Sequence, residues 1–102
     1  MSNAAIITHI RGELEAFERR ERTADQLETI LHGRFEALEG VPYADLKTLH
    51  HFEYRLVTAQ FSDDDPSIES KEVVLADSRA MLDALEKEAN KSVQTRTTSG
   101  PV

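Results

Sequence analysis

Apolar residues return every third or fourth position along most of this chain, and no stretch alternates with period two for more than four residues. That spacing constrains the fold more than any other feature. Side chains three and four apart share one face of an α-helix, whereas a half-buried strand needs strict alternation. Ile6, Ile7, Ile10, Leu14 and Phe17 make a first stripe, and Leu27, Ile30, Leu31, Phe35 and Leu38 a second. The third set, from Tyr43 through Leu46, Leu49, Phe52, Leu56, Val57 and Ala59 to Phe61, is broader. A face that wide predicts a central helix touching more than one neighbour. Val74, Leu75, Ser78, Met81, Leu82, Leu85 and Ala89 form the fourth.

The breaks between stripes have their own chemistry. The first ends in "ERRER", Glu18 to Arg22, which carries no apolar residue. Thr23 followed by Gln26 is a capping-box pattern, in which each side chain satisfies a backbone N–H of the other residue. A break is therefore expected at Arg22–Thr23. Gly40 suits a left-handed helix end, and Pro42 suits the first turn of the next helix, roughly Pro42 to Phe61. "SDDDPS" interrupts the pattern, and the fourth helix should begin between Pro66 and Ser70. After Asn90 the sequence "KSVQTRTTSGPV" is polar and carries no stripe, so residues 91–102 are expected to form a disordered tail. The reading is an all-α chain, a compact antiparallel four-helix bundle over residues 1–90. Its expected core is Ile10, Leu14, Phe17, Leu27, Ile30, Leu31, Phe35, Leu46, Leu49, Phe52, Leu56, Leu75, Leu82 and Leu85. Ser2 to Ala4 stay outside this argument.

Composition narrows the function. A chain of 102 residues supports one small core. Its net charge of −7 repels nucleic acid and anionic membranes and favours a basic partner. The absence of cysteine excludes disulfides, thiol catalysis and zinc–thiolate sites. No apolar run approaches the ~18–20 residues that span a bilayer. The start "MSNAAIITHIRGELEAF" lacks a basic segment followed by a long apolar one. A cytoplasmic protein is expected, with no cofactor and no metal.

The candidates for catalysis are weak. His50 and His51 are adjacent on one helix and point about 100° apart. Glu28 and His32 lie four apart, and His50 and Glu53 three apart, but a metal site in a bundle needs matching sets from several helices. His9, His32, His50 and His51 are therefore read as surface or boundary residues. No serine sits in a glycine-flanked elbow, and no glycine-rich loop is present to cradle phosphate. An acid–base carboxylate pair needs one buried member, and carboxylates opposite an apolar stripe are usually solvated. The expectation is that the chain is not an enzyme. A metal-dependent enzyme remains as a reading that elemental analysis would test.

The acidic charge is uneven. Residues 1–22 are neutral, residues 23–61 sum to −3, and residues 62–75 alone sum to −4. In that last segment Asp63, Asp64, Asp65, Glu69 and Glu72 face only Lys71. Two readings stay open. One aspartate could cap the fourth helix while the others favour its positive end. Alternatively, the surplus marks a binding surface centred on Asp63, Asp64 and Asp65 and aided by Glu69 and Glu72.

The order of "RTADQLETILHGRFEALEGV", "EYRLVTAQFSDDDPSIESKEV" and "ADSRAMLDAL" resembles small bacterial immunity proteins of the colicin D type and their relatives in contact-dependent inhibition systems. The similarity spans roughly Arg11 to Leu85. It lies in a Thr-Ala-x-x-Leu helix start and an Ala-x-Phe step before an Asp-rich loop, although Gln60 stands where a carboxylate would strengthen it. The resemblance implies an acidic four-helix inhibitor. Its aspartates would occupy the basic active site of a toxin, typically a nuclease, as phosphate surrogates. The alternative from another class is a self-associating structural or regulatory bundle, paired through the broad face of the third helix.

Overall fold

The structure, a computed structural model, describes the backbone of residues 2–98 and the side chains of residues 2–90. Four helices follow one another: α1 (Asn3–Glu18), α2 (Ala24–Ala37), α3 (Tyr43–Ala59) and α4 (Lys71–Thr98). The expected tail, residues 91–102, lies outside the described side chains. Among the described residues there is no strand. Each helix packs on its two neighbours in a ring, α1 on α2, α2 on α3, α3 on α4 and α4 on α1. This is the antiparallel four-helix bundle that short links and single apolar stripes require.

The ends of the helices follow from local chemistry. Ser2 caps α1, its hydroxyl accepting from the Ala5 N–H at 3.2 Å. Asn3 reaches across to the α2–α3 link, donating to the Glu39 carbonyl at 2.7 Å and accepting from the Glu39 N–H at 2.9 Å. The first residues thus have a structural role although they carry no apolar pattern. At the far end of α1 the Glu21 N–H reaches the Ala16 carbonyl at 2.8 Å and the Arg20 N–H reaches Phe17 at 3.0 Å. That double closure requires a left-handed residue, and Arg20 supplies it with φ of 63°. The α2 capping box forms as expected: Thr23 Oγ1 accepts from the Gln26 N–H at 3.1 Å, and Gln26 Oε1 accepts from the Thr23 N–H at 2.9 Å. Gly40 is left-handed, with φ of 69°, in the link to α3.

The start of α4 falls at the late edge of the expected range. Ser70 is its cap, with its hydroxyl accepting from Val73 N–H at 3.3 Å and its carbonyl from Val74 N–H at 3.2 Å. No aspartate of the 63–65 run caps this helix, because the run ends five residues before the cap position, Ser70.

The core is one cluster drawn from all four stripes, including Ile6, Ile10, Leu14, Leu27, Leu31, Phe35, Leu49, Leu56, Val74 and Leu82. Leu46 and Leu85 pack on its edge, and Ile30 is half-buried rather than central. The small residues Ala16, Ala24 and Ala59 are buried, where helices approach closely. A small void of about 10 Å³, lined by residues such as Leu14, Phe35 and Phe52, holds a single water-sized sphere at most. The broad apolar set on α3 is only partly internal. Tyr43 is 76% and Phe61 53% exposed, because both project away from α2 and α4 at the helix ends.

Candidate functional site

Most arginines in the bundle are already engaged. Arg11 on α1 pairs with Asp83 at 2.6 Å and Glu86 at 3.3 Å on α4, and Arg79 on α4 pairs with Glu18 on α1. Arg22 bonds Glu13 at 3.1 Å, and Arg19 bonds Glu21. Arg55 on α3 makes a fork to Glu69, at 2.5 and 2.9 Å, and a third bond to Asp77 on α4 at 2.7 Å. The Arg11, Arg79 and Arg55 pairs clamp α4 to α1 and α3, the other two secure the end of α1, and together they leave unmatched negative charge elsewhere.

The sequence-predicted site residues are split by this arrangement. Asp63, Asp64 and Asp65 follow α3 in a tight turn, in which the Asp64 and Asp65 N–H groups bond the Phe61 carbonyl at 3.1 and 3.2 Å. All three are exposed. Asp65 is the one with local partners, accepting from the Ser67 hydroxyl at 2.7 Å and the Ser67 N–H at 3.0 Å. Those two bonds, the hydroxyl first, hold its carboxyl below the ordinary range. Among the described residues, the Asp63 and Asp64 side chains make no hydrogen bond or ion pair. Glu72 is exposed in the first turn of α4. Glu69 differs from the rest: the Arg55 fork neutralises it and pushes its carboxyl below the ordinary range. Its charge serves the fold rather than an open surface.

Beside the aspartate turn lies an exposed aromatic feature, of which the sequence places Tyr43 and Phe61 on the broad apolar face of the third helix. Phe61, whose carbonyl anchors the turn, is exposed, and Tyr54, seven residues earlier on α3, is 66% exposed. His51 stacks on Tyr54 with ring centroids 6.1 Å apart, and Lys47 lies 5.6 Å over the Tyr43 ring. Tyr43, Lys47, His51 and Tyr54 step by four, four and three, so an aromatic ridge runs along the solvent side of α3 into Phe61 and the aspartates.

A second constellation sits on the α2–α3 seam. Glu53, a carboxylate on the apolar side of α3, is only 7% exposed. Sequence reasoning took such carboxylates as solvated; this one is buried because two imidazoles cover it. His32 Nδ1 of α2 lies 3.1 Å from Glu53 Oε1, and His50 Nδ1 contacts Glu53 Oε2. Glu36 stands on the other edge of both rings, with Oε1 3.1 Å from His50 Nε2 and 3.9 Å from His32 Nε2. The two rings lie 4.9 Å apart between centroids. The helical neighbour of His32 in the sequence is Glu28; in the structure the His32 ring faces Glu36 and Glu53. The missing signal was the pairing of α2 with α3, which brings His32 over the His50–Glu53 turn.

Compared with known protein families, with characterised proteins and with solved structures, the chain matches none. Among the described residues no helix is long and apolar enough to cross a membrane.

Proposed function

We propose that this chain is an acidic helical module that binds a basic protein partner through the solvent side of α3 and the turn after it. The observation that carries the reading is that Tyr54 and Phe61 are exposed and that the Phe61 carbonyl anchors the turn bearing exposed Asp63, Asp64 and Asp65. Aromatic side chains with a polar rim are typical of interface centres, and complementary charge speeds encounter and selects the partner. The backbone bonds of the turn preorganise the aspartates, which lowers the entropy lost on docking. Asp63, Asp64 and Glu72 supply open negative charge; Glu69 acts by holding Arg55. The module has no catalytic role in this reading.

The partner that fits is a domain whose own site is basic, and the resemblance to immunity proteins makes that partner a toxin nuclease. The aspartates would then stand where phosphates bind. A second reading draws on the same ridge: Tyr43, Tyr54 and Phe61 could pair two copies of the chain. Two chains of charge −7 would repel one another along that face, which favours the basic partner.

The test is a titration of the wild type, of Asp63→Asn/Asp64→Asn/Asp65→Asn and of Tyr54→Ala/Phe61→Ala against the product of the neighbouring gene, at two salt concentrations. Asparagine keeps the turn chemistry. The aspartate variant should lose several kcal/mol of binding, about 2–5, and much of its salt dependence. The aromatic variant should lose affinity with the salt dependence intact. Equal affinity for all three proteins would refute the surface. A mass in solution of two chains, reduced to one by Tyr54→Ala/Phe61→Ala, would favour self-association instead.

A further inference from the structure

The buried carboxylate on the α2–α3 seam is not explained by docking a partner on the far face of α3. We propose that His32, His50 and Glu53 form a binding site for one divalent transition-metal ion of the Zn²⁺ class. One ligand atom from each of these residues lies within 4.8 Å of the others. The ligands come from two helices, so an ion held by them would staple α2 to α3.

Spacing and chemistry support this site independently. Zinc binds imidazole and carboxylate at about 2.0–2.2 Å, which puts neighbouring tetrahedral ligands about 3.3 Å apart. His32 Nδ1 and Glu53 Oε1, at 3.1 Å, are already near that separation. The His32 side chain is 61% exposed, so its ring is free to turn inward and leaves one coordination position open to water. Two imidazoles and a carboxylate suit Zn²⁺, Ni²⁺ or Cu²⁺ and offer too few oxygens for Ca²⁺ or Mg²⁺. The negative charge of the chain raises the cation concentration near its surface.

A further observation points to an ion. His50 Nε2 is buried and has no hydrogen-bond partner, although Glu36 Oε1 is 3.1 Å away. When a neutral His50 donates its Nδ1–H to Glu53, a bare lone pair on Nε2 faces another carboxylate. An ion on Nδ1 reverses this. The ring proton then sits on Nε2, where Glu36 accepts it. That is the carboxylate–histidine–metal arrangement in which an outer carboxylate orients a ligating imidazole. Glu36 is thus a positioning residue, placed 3.1 Å from the nitrogen that would carry the proton once an ion occupies Nδ1.

The experiment uses the untagged full chain, stripped with chelator and titrated with Zn²⁺ by calorimetry, with Co²⁺ absorption and thermal melting alongside. One Zn²⁺ per chain is expected, together with a melting temperature raised by Zn²⁺ and not by Mg²⁺. His32→Asn alters an exposed side chain and should leave the fold intact while weakening Zn²⁺ binding by about tenfold or more. His50→Gln should weaken it similarly, and His9→Asn and His51→Asn should leave it unchanged. Failure to observe saturable one-to-one binding would overturn the proposal. So would unchanged affinity in His32→Asn/His50→Gln, which would place the zinc elsewhere.

Discussion

Replacing Arg55 with alanine tests whether the bundle depends on charge as well as on its apolar core. The guanidinium is 19% exposed, lies 5.0 Å over the Phe52 ring and bonds Glu69 and Asp77 at once. It therefore ties α3 both to the link before α4 and to α4 itself. Glu69 and Asp77 are 37% and 53% exposed, so each pair is screened and contributes about 0.2–1 kcal/mol. Stacking over Phe52 adds about 0.5–1 kcal/mol. With the aliphatic stem also lost, Arg55→Ala should destabilise the fold by about 1.5–3 kcal/mol at pH 7. The melting temperature of a domain this size falls about 4–8 °C per kcal/mol.

The pH dependence separates the ion pair from the packing. The Arg55 fork depresses the Glu69 carboxyl in the folded state, so the contribution is fully present above its ordinary value of 4.5. It is lost as pH falls through the lower folded value. Urea unfolding of wild type and variant from pH 7 towards pH 3 should show the difference narrowing below about 4.5. An unchanged difference at pH 3 would mean that Arg55 acts only through its contact with Phe52. A loss below about 0.5 kcal/mol at pH 7 would mean that the fork contributes nothing measurable.

Two further substitutions probe the core and a helix end. Phe35, 3% exposed and edge-on to the His50 ring at 5.9 Å, should lose about 3–5 kcal/mol on change to alanine; denaturant unfolding that shows less than about 1 kcal/mol would contradict its burial. Arg20 holds a left-handed φ of 63° that disfavours any side chain by about 1–2 kcal/mol. Arg20→Gly should therefore raise stability by about 0.5–1 kcal/mol in thermal unfolding, and destabilisation would show that the arginine makes a compensating contact.

Features that depend on short-range spacing were legible in the sequence. The stripes and the Thr23–Gln26 box each require only residues within one or two turns, and both appear as read. Features set by which helix meets which were not. Ile30 falls on the second stripe, yet the α2–α3 and α1–α2 contacts leave it half-buried, while Leu27, Leu31 and Phe35 take the centre. Phe61 counts with the third stripe in the sequence, but its spacing of seven from Tyr54 puts it in register with the exposed side, and α3 stops at Ala59 before reaching it. The burial of Glu53 depends on His32, 21 residues away, and no local pattern reports such a contact. The charge surplus in residues 62–75 was legible as a number, but not its division between Arg55-bound Glu69 and the open aspartates.

That division matters because the open aspartates follow α3 while the buried His50–Glu53 pair lies within it, on the side that meets α2. Tyr54 and Phe61 look outward with the aspartate turn, whereas His50 and Glu53 look towards α2. Arg55, two residues past Glu53, faces α4. One helix thus carries three separate electrostatic tasks around its circumference, and only the α4-facing one is closed by a full set of permanent opposite charges. A cation bound at the α2 seam would stiffen α3 against its neighbour without covering the aromatic ridge. Binding of a basic partner and of Zn²⁺ should therefore be independent or mildly cooperative, through the rigidity of α3 rather than through shared contacts. Competition between the two would require the partner to reach His32, and would place its docking surface on the opposite side of the helix.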